Sequence, residues 1–400
     1  MLLSQPLLRR LAVKIGIPKE TAPGETRVAL IPPLVSSLTR SKHEVRIESG
    51  AGSGASFTDE EYARSGAVIV TDVRSLYNSS EMILKVQPPQ FHPSLKVDEA
   101  ELIPEGSIYI GFLAPVANHD VVKIFVRRRV TSFAMEYIPR ISRAQSMDAL
   151  SSMATIAGYK SALLAAVRLN KLFPLFMTAA GTLPPAVVLV LGAGVAGLQA
   201  IATARRLGAK VEAFDPRPAV RDQVKSLGAT FIDMELDAQA ETAGGYAREQ
   251  SEEFLKKEQS IIGKRMPNVD VVISTAQVFG KRPPVLMTAN MVRMMKPGSI
   301  IIDLAAEQGG NCELTQAGAT VEHEGVTIIG PVNLPASVPT HASQLYAKNV
   351  VNLIQQLYQN GSARPDFADE IAKGCVITDG GAVANETVKQ LLSEKGVTFA

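Results

Sequence analysis

The feature that most constrains this chain is Val187-Val-Leu-Val-Leu191 running directly into Gly192-Ala-Gly194-Val-Ala-Gly197. An unbroken apolar run rich in valine reads as a strand buried on both faces. Leu198 to Leu207 then reads as a helix with no acid in its first turn. Strand, tight turn and helix in that order open a dinucleotide-binding unit, in which each glycine has its own reason. Gly192 permits the turn, Gly194 lets backbone approach a pyrophosphate, and Gly197 lets helix and strand pack closely. With Val195 and Ala196, the helix start offers free N–H groups and positive potential. Asp215 ends the next strand, 23 positions after Gly192, where a carboxylate can accept both hydroxyls of an adenosine ribose. It would repel a 2′-phosphate, so the expected cofactor is NAD(H) rather than NADP(H). Arg217 leaves three readings open: contact to a phosphate, stacking on adenine, or an ion pair with Asp215. Thr275, directly after the predicted strand Val269 to Ser274, completes the candidate nucleotide contacts.

A second stretch, Gly50, Gly52 and Ala55, fits the same pattern, with Asp72 22 positions after Gly50. Its context is wrong. The next helix starts later, at Thr58, with Thr58 and Glu61 as a capping box and Asp59, Glu60 and Glu61 crowding the first turn. Those carboxylates would repel a pyrophosphate, so this is read as a turn.

Short apolar runs alternate with helical patterns along the whole chain, which predicts an α/β protein with largely parallel sheets. The first series of strands is Val13 to Ile17, Val45 to Glu48, Ala67 to Val70, Met82 to Val86, Ile108 to Phe112 and Val130 to Ala134. Leu150, Met153, Ala154 and Ala157 mark one face of a long helix running towards Asn170. A second series follows: Ala186 to Leu191, Lys210 to Phe214, Ala229 to Ile232, Val269 to Ser274, Ser299 to Leu304 and Val326 to Gly330. Beyond Pro339, a stripe of Tyr346, Val350, Leu353, Ile354 and Leu357 predicts another long helix, and Cys375 to Thr378 a last short strand.

Composition removes several classes. With 41 basic and 39 acidic side chains the formal net charge is +2, so no phosphate-backbone footprint dominates and nucleic acid is not an expected partner. The two cysteines, Cys312 and Cys375, lie far apart and outside any CxxC, which excludes a disulfide scaffold and a cysteine zinc site. The five histidines show no metal-ligand spacing, and no metal is expected. Leu172 to Ala204 is uncharged and longer than the roughly 20 residues of a bilayer helix. Pro184, Pro185 and the three glycines break it, however, so it reads as a loop, a buried strand and a helix. Met1 to Leu11 carries Arg9 and Arg10 on an apolar segment, but without a cleavage signal or long apolar core it is not read as a targeting peptide.

Ahead of the first long helix lies a dense polar segment, Arg140-Ile-Ser-Arg143-Ala-Gln145-Ser146-Met-Asp148-Ala-Leu-Ser151. Its amide and carboxylate suit a carboxamide and a ribose. Equally, Ser146 or Asp148 caps the helix and the arginines are solvated.

Taken together, Pro139 to Asp148, Ala157-Gly-Tyr-Lys160, the glycine turn, Gly244-Gly-Tyr-Ala247 and Asp303-Leu-Ala-Ala-Glu-Gln-Gly-Gly-Asn-Cys-Glu313 resemble the NAD(H)-binding component, domain I, of the proton-translocating NAD(P) transhydrogenases. The resemblance spans nearly the whole chain. It implies that Arg140, Gln145, Asp148 and Ser151 form the catalytic loop over the nicotinamide and its ribose, and that Gly244 to Ala247, with Tyr246, lies in a mobile loop closing on the nucleotide. The sequence departs at Met153, where many members carry glutamine.

Alanine dehydrogenases share the fold and are the rival reading. Lys19-Glu20, Thr26-Arg27-Val-Ala-Leu30 and Lys85 resemble the segments that supply substrate arginine and lysine in those enzymes. Reductive amination needs a proton donor beside the carbonyl. The dehydrogenases place a histidine there, in a Leu-His-Leu-Ala pattern; here the segment reads Gly111-Phe-Leu-Ala114, with Phe112 in the histidine's place. His119, seven residues on, is read as a surface histidine, and Glu307 replaces the dehydrogenase aspartate. Hydride exchange between two nicotinamides transfers no proton to substrate and needs positioning rather than an acid or base. A pure NAD sensor is a third class, one that would bind NADH and never pass on hydride.

The expectation is therefore two doubly wound, parallel-sheet, Rossmann-like α/β domains joined by long helices. One comprises residues 1–150 and 335–400, the other, binding NAD(H), residues 151–334, with the nicotinamide in the cleft. The resemblance implies hydride exchange with NADP(H) on a partner domain III, coupled to proton translocation by a membrane subunit, and a homodimer. It also implies a peripheral place on the cytoplasmic face of a bacterial inner membrane or on the mitochondrial matrix side.

Overall fold

The computed structural model describes residues 12–234, 251–278, 282–358 and 365–399. The Met1 to Leu11 segment and the Gly244 to Ala247 motif with Tyr246 lie outside them. The chain divides into two compact units, Met1–Met153 with Ala336–Ala400, and Ala154–Pro335. Each is an α/β body around one mostly parallel sheet.

In the first unit the sheet has eight strands, in the order Ala382–Val383, Val376–Asp379, Thr131–Ala134, Ile108–Gly111, Met82–Leu84, Lys14–Ile17, Glu44–Glu48, Val68–Val70. The six central and outer strands from the first half of the chain pair in parallel, as their helical crossovers require. The C-terminal pair adds antiparallel to Thr131–Ala134. That join is sealed by two buried hydroxyls, Ser132 Oγ and Thr378 Oγ1, 2.7 Å apart.

The second unit holds seven strands, in the order Thr230–Phe231, Lys210–Phe214, Val187–Leu191, Val271–Ser274, Ile300–Asp303, Val326–Ile329, Thr320–His323. Along Val187–Leu191 the period of two is visible in the packing. Val188 and Val190 join one buried cluster with Ala162, Ala200 and Ile201, whereas Leu189 and Leu191 join the opposite one with Ile262 and Met266. The order of connection reverses between Val187–Leu191 and Val271–Ser274, the switch point where such sheets open a crevice beyond their carboxyl ends. Helix Ala149–Arg168 is long and apolar enough to cross a membrane by length and composition. It packs as a core helix: Ala162 and Ala165 are fully buried, and a Cβ on Gly158 would lie 2.1 Å from the Ala196 carbonyl.

Three elements escape the sequence reading. The stretch expected as a loop after Leu172 contains an antiparallel hairpin, Phe176–Thr178 with Gly181–Leu183. Every residue of it is exposed, so no alternating burial marks it. A smaller hairpin joins Phe91–His92 to Val97–Asp98, and the edge strand Thr320–His323 is too polar to read as a strand.

Candidate functional site

The glycine turn is built as its residue types require. Gly192 takes φ +90, where a side chain is strained, and its added Cβ would lie 2.8 Å from Thr275 Oγ1. An added Cβ on Gly197 would lie 1.9 Å from the Gly192 carbonyl oxygen, so only glycine lets helix Val195–Arg206 close on the strand. Gly194 differs: its Cβ would meet nothing nearer than Arg217 Nη2 at 3.9 Å. Protein packing makes no demand at Gly194, and a ligand approaching the backbone there would meet open space. The helix N-terminus carries no acidic residue in its first turn and two arginines, Arg205 and Arg206, in its last. Its dipole therefore favours an anion at Val195, Ala196 and Gly197.

Thr275 sits under this turn, its Oγ1 donating to the Gly192 carbonyl at 3.0 Å and the Leu191 carbonyl at 3.3 Å. Asp215, 3% exposed, accepts the Ala193 N–H at 2.7 Å and so ties the turn to the end of the neighbouring strand. Arg217 grips the same carboxylate, with Nη2 2.8 Å from Oδ2 and both Nε and the backbone N–H 2.9 Å from Oδ1. Of its three readings, the ion pair is the one present.

Glu258 was not singled out in the sequence. On helix Glu252–Gly263 it shares the inward face of Phe254, Leu255 and Ile262. It is 4% exposed, and burial, reinforced by the Asp215 charge, pushes its carboxyl up to about 7. A carboxylate on an apolar stripe was the signal for it.

The Gly50 stretch is filled by its own chain. Asp59 accepts the Gly50 N–H at 2.9 Å and the Ser49 hydroxyl at 2.6 Å, and the Thr58–Glu61 capping box is complete. Asp72 caps the helix beginning at Val73.

The polar loop lies in the first unit as the turn Ser142–Met147. Both side-chain readings have a share in it. Asp148 caps the long helix, accepting the Ser151 N–H at 2.8 Å and the Ser151 hydroxyl at 2.6 Å. Arg143 is not a solvated arginine but pairs with Asp369 and Glu370. From below, Asn349 and Asn352 each donate to the Ser146 carbonyl at 2.9 Å. Arg140 and Gln145 remain exposed on the surface of this pinned loop.

The cations expected of a dehydrogenase are neutralised inside the same unit. Arg27 is held by Glu25, with Nη2–Oε2 2.6 Å and Nε–Oε1 2.8 Å, and it donates from Nη1 to the Met153 thioether at 3.1 Å. Lys85, fully buried, lies 2.9 Å from Glu99 and 3.3 Å from Glu20. Those two carboxylates keep it charged despite burial, while burial pushes Glu20 up. The Phe112 ring packs on Tyr346, centroids 5.4 Å apart. Below it Glu136 accepts the Leu113 N–H at 3.0 Å, with its carboxyl pushed up to about 6 by burial. His119 is half-exposed beside Asp120, at the start of helix His119–Arg127.

A dinucleotide-type turn at a switch point, on a chain of two α/β units, defines an NAD-binding oxidoreductase class, and comparison with known sequences identifies it. The chain belongs to the alanine dehydrogenase/PNT family, whose N-terminal domain matches residues 16–157 and C-terminal domain residues 161–386. It is 46% identical over 377 residues to the first portion of NAD(P) transhydrogenase subunit alpha of Rhodospirillum rubrum, covering 93% of this chain and 98% of that one. The crystal structure of transhydrogenase from Sinorhizobium meliloti superposes with a TM-score of 0.81 at 38% identity, over 94% of this chain and 99% of the other. Alanine dehydrogenase of Methanococcus maripaludis is 30% identical over 355 residues, covering 87% of this chain and 88% of that one.

Proposed function

We propose that this chain is the NAD(H)-binding component of a proton-translocating NAD(P) transhydrogenase, exchanging hydride between NAD(H) held here and NADP(H) held on a partner domain. The observation that carries the reading is near-full-length identity to a transhydrogenase alpha polypeptide, 46%, against 30% to an alanine dehydrogenase. Bound NAD(H) supplies the transferable hydride. The protein's part is binding and orientation. The N–H groups from Val195 to Gly197 receive the pyrophosphate over the open Gly194 backbone, and Asp215 lies at the strand end suited to the ribose. Arg140 and Gln145, exposed on their pinned loop, are assigned the nicotinamide end. Asp148 and Ser151 hold that loop to its helix.

The dehydrogenase reading is disfavoured by chemistry. Arg27 and Lys85 are neutralised by Glu25, Glu20 and Glu99, and Phe112 offers no proton where reductive amination would need one. Coupling to proton translocation requires a membrane subunit and an NADP(H)-binding domain III on other chains. That assembly would seat this chain on the cytoplasmic face of a bacterial membrane or the matrix side of a mitochondrial one. Self-association as a homodimer is supported by the apolar surface of the hairpin, where Met177 is 75% exposed and Leu183 52%. The test is direct: NADH and the full chain are mixed with NADP-loaded domain III, and hydride transfer is followed by absorbance. Absence of transfer, with both nucleotides bound, would leave the sensor reading in its place.

A further inference from the structure

The motif Asp303 to Glu313 has so far no task in the site. Its fold is organised by one fully buried carboxylate. Asp303 Oδ2 accepts the Asn311 N–H at 2.7 Å, the Cys312 N–H at 3.0 Å and the Thr315 hydroxyl at 2.7 Å, while Oδ1 accepts the Ala305 N–H at 3.0 Å. Four bonds to one acid fold the loop back on the end of its own strand. The fold-back needs glycine: Gly310 takes φ +80, and a Cβ there would lie 2.8 Å from Asp303 Oδ2.

The loop thereby delivers the Asn311 amide, fully buried, to the end of the neighbouring strand Val271–Ser274. Oδ1 accepts the Ser274 hydroxyl at 2.7 Å and the Ala276 N–H at 3.1 Å. Nδ2 donates to the Ala276 carbonyl at 2.8 Å and the Pro284 carbonyl at 2.9 Å. Both lone pairs and both protons of the amide are thus used, so its orientation is determined by its partners. Three of the four bonds fall on the residues flanking Thr275. Thr275 in turn holds the carbonyls of Leu191 and Gly192.

We propose that Asn311 is a positioning residue for nucleotide binding, acting through Thr275 to fix the glycine turn. The proposal rests on the reading that this turn holds NAD(H). A buried amide with every bond satisfied is rigid, and rigid support is what a turn needs if its backbone is to meet a pyrophosphate without reordering. An apolar side chain at 311 would leave the Ala276 N–H and two carbonyls without this partner and let Thr275 shift.

The test is a double-mutant cycle on the full chain, with NADH affinity read by nucleotide fluorescence and melting temperature recorded in parallel. Asn311→Ala and Thr275→Val should each weaken NADH by ten-fold or more. The double variant should be no more than about three-fold weaker than the worse single one, because both act on one element. A residue that serves only stability would lower the melting temperature and leave the affinity of the folded protein unchanged. Should Asn311→Ala not fold, Ser274→Ala removes a single bond of the network and should give a two- to five-fold loss that is likewise non-additive with Thr275→Val. Wild-type affinity in these variants, or strictly additive effects, overturns the proposal while leaving the nucleotide reading intact. A wild-type chain that binds no NADH overturns both.

Discussion

The Arg217 guanidinium lies across the Asp215 carboxylate, Nη2 to Oδ2 at 2.8 Å and Nε to Oδ1 at 2.9 Å, while Ala193 donates its N–H to the same acid. The arginine that could have welcomed a 2′-phosphate is thus committed to the acid that would repel one. The pair sits at the end of the strand next to the glycine turn and bears directly on cofactor choice.

NADH should accordingly bind at least ten-fold more tightly than NADPH, about 1.4 kcal/mol or more. Asp215→Asn should narrow that ratio, since it removes the repelling charge and loosens Arg217. Fluorescence titration with each nucleotide measures both numbers; equal affinities in the wild-type protein would rule the selectivity out.

With alanine and NAD, or with pyruvate, ammonia and NADH, the chain should show no meaningful turnover. Phe112→His should not create it, because Arg27 remains on Glu25 and Lys85 on Glu99 and Glu20. Robust alanine oxidation by the wild-type chain would return the assignment to the dehydrogenases.

Gln145 should separate binding from transfer. Orientation can carry several kcal/mol of a barrier while adding little to ground-state affinity. Gln145→Asn keeps the amide, shortens its reach and should leave NADH affinity within a few-fold. Single-turnover transfer to NADP on domain III should slow by about ten-fold or more, roughly 1.4 kcal/mol. Unchanged transfer in a folded variant that still associates with domain III would remove this loop from the site.

Glu258 should make stability fall as pH rises. Its carboxyl goes from an ordinary 4.5 to about 7 on folding, so the folded chain binds its proton more readily than the unfolded one. The favourable contribution is complete below the unfolded value and is lost as pH rises through about 7. Asp215 and its partner Arg217 are the charges at the strand end it faces. Glu258→Gln should therefore raise stability by roughly 1–3 kcal/mol at pH 8 and by less than about 1 kcal/mol at pH 5. Urea unfolding at the two pH values checks this, and an equal gain at both would refute it.

What could be read from the sequence alone was whatever neighbouring residues determine together. The run Val187–Leu191 had to be a buried strand, the three glycines had to form a turn against a helix, and the Thr58–Glu61 capping box identified the Gly50 stretch as something else. In each case the interacting groups lie within a few residues of one another, so propensity, periodicity and steric exclusion suffice. The tertiary structure decided which partner each polar side chain would find. Arg217 had three acceptable partners and took Asp215. Lys85 took Glu99, 14 positions away, and Asn311 took Ser274, 37 positions away. Glu258 came to lie beside Asp215 from a helix on another crossover, and the hairpin at Phe176 formed without any burial pattern to announce it. The physical reason is that burial makes an unpaired polar group costly wherever its partner lies in the chain. Sheet order and helix packing decide which distant groups meet, and no local pattern records that choice.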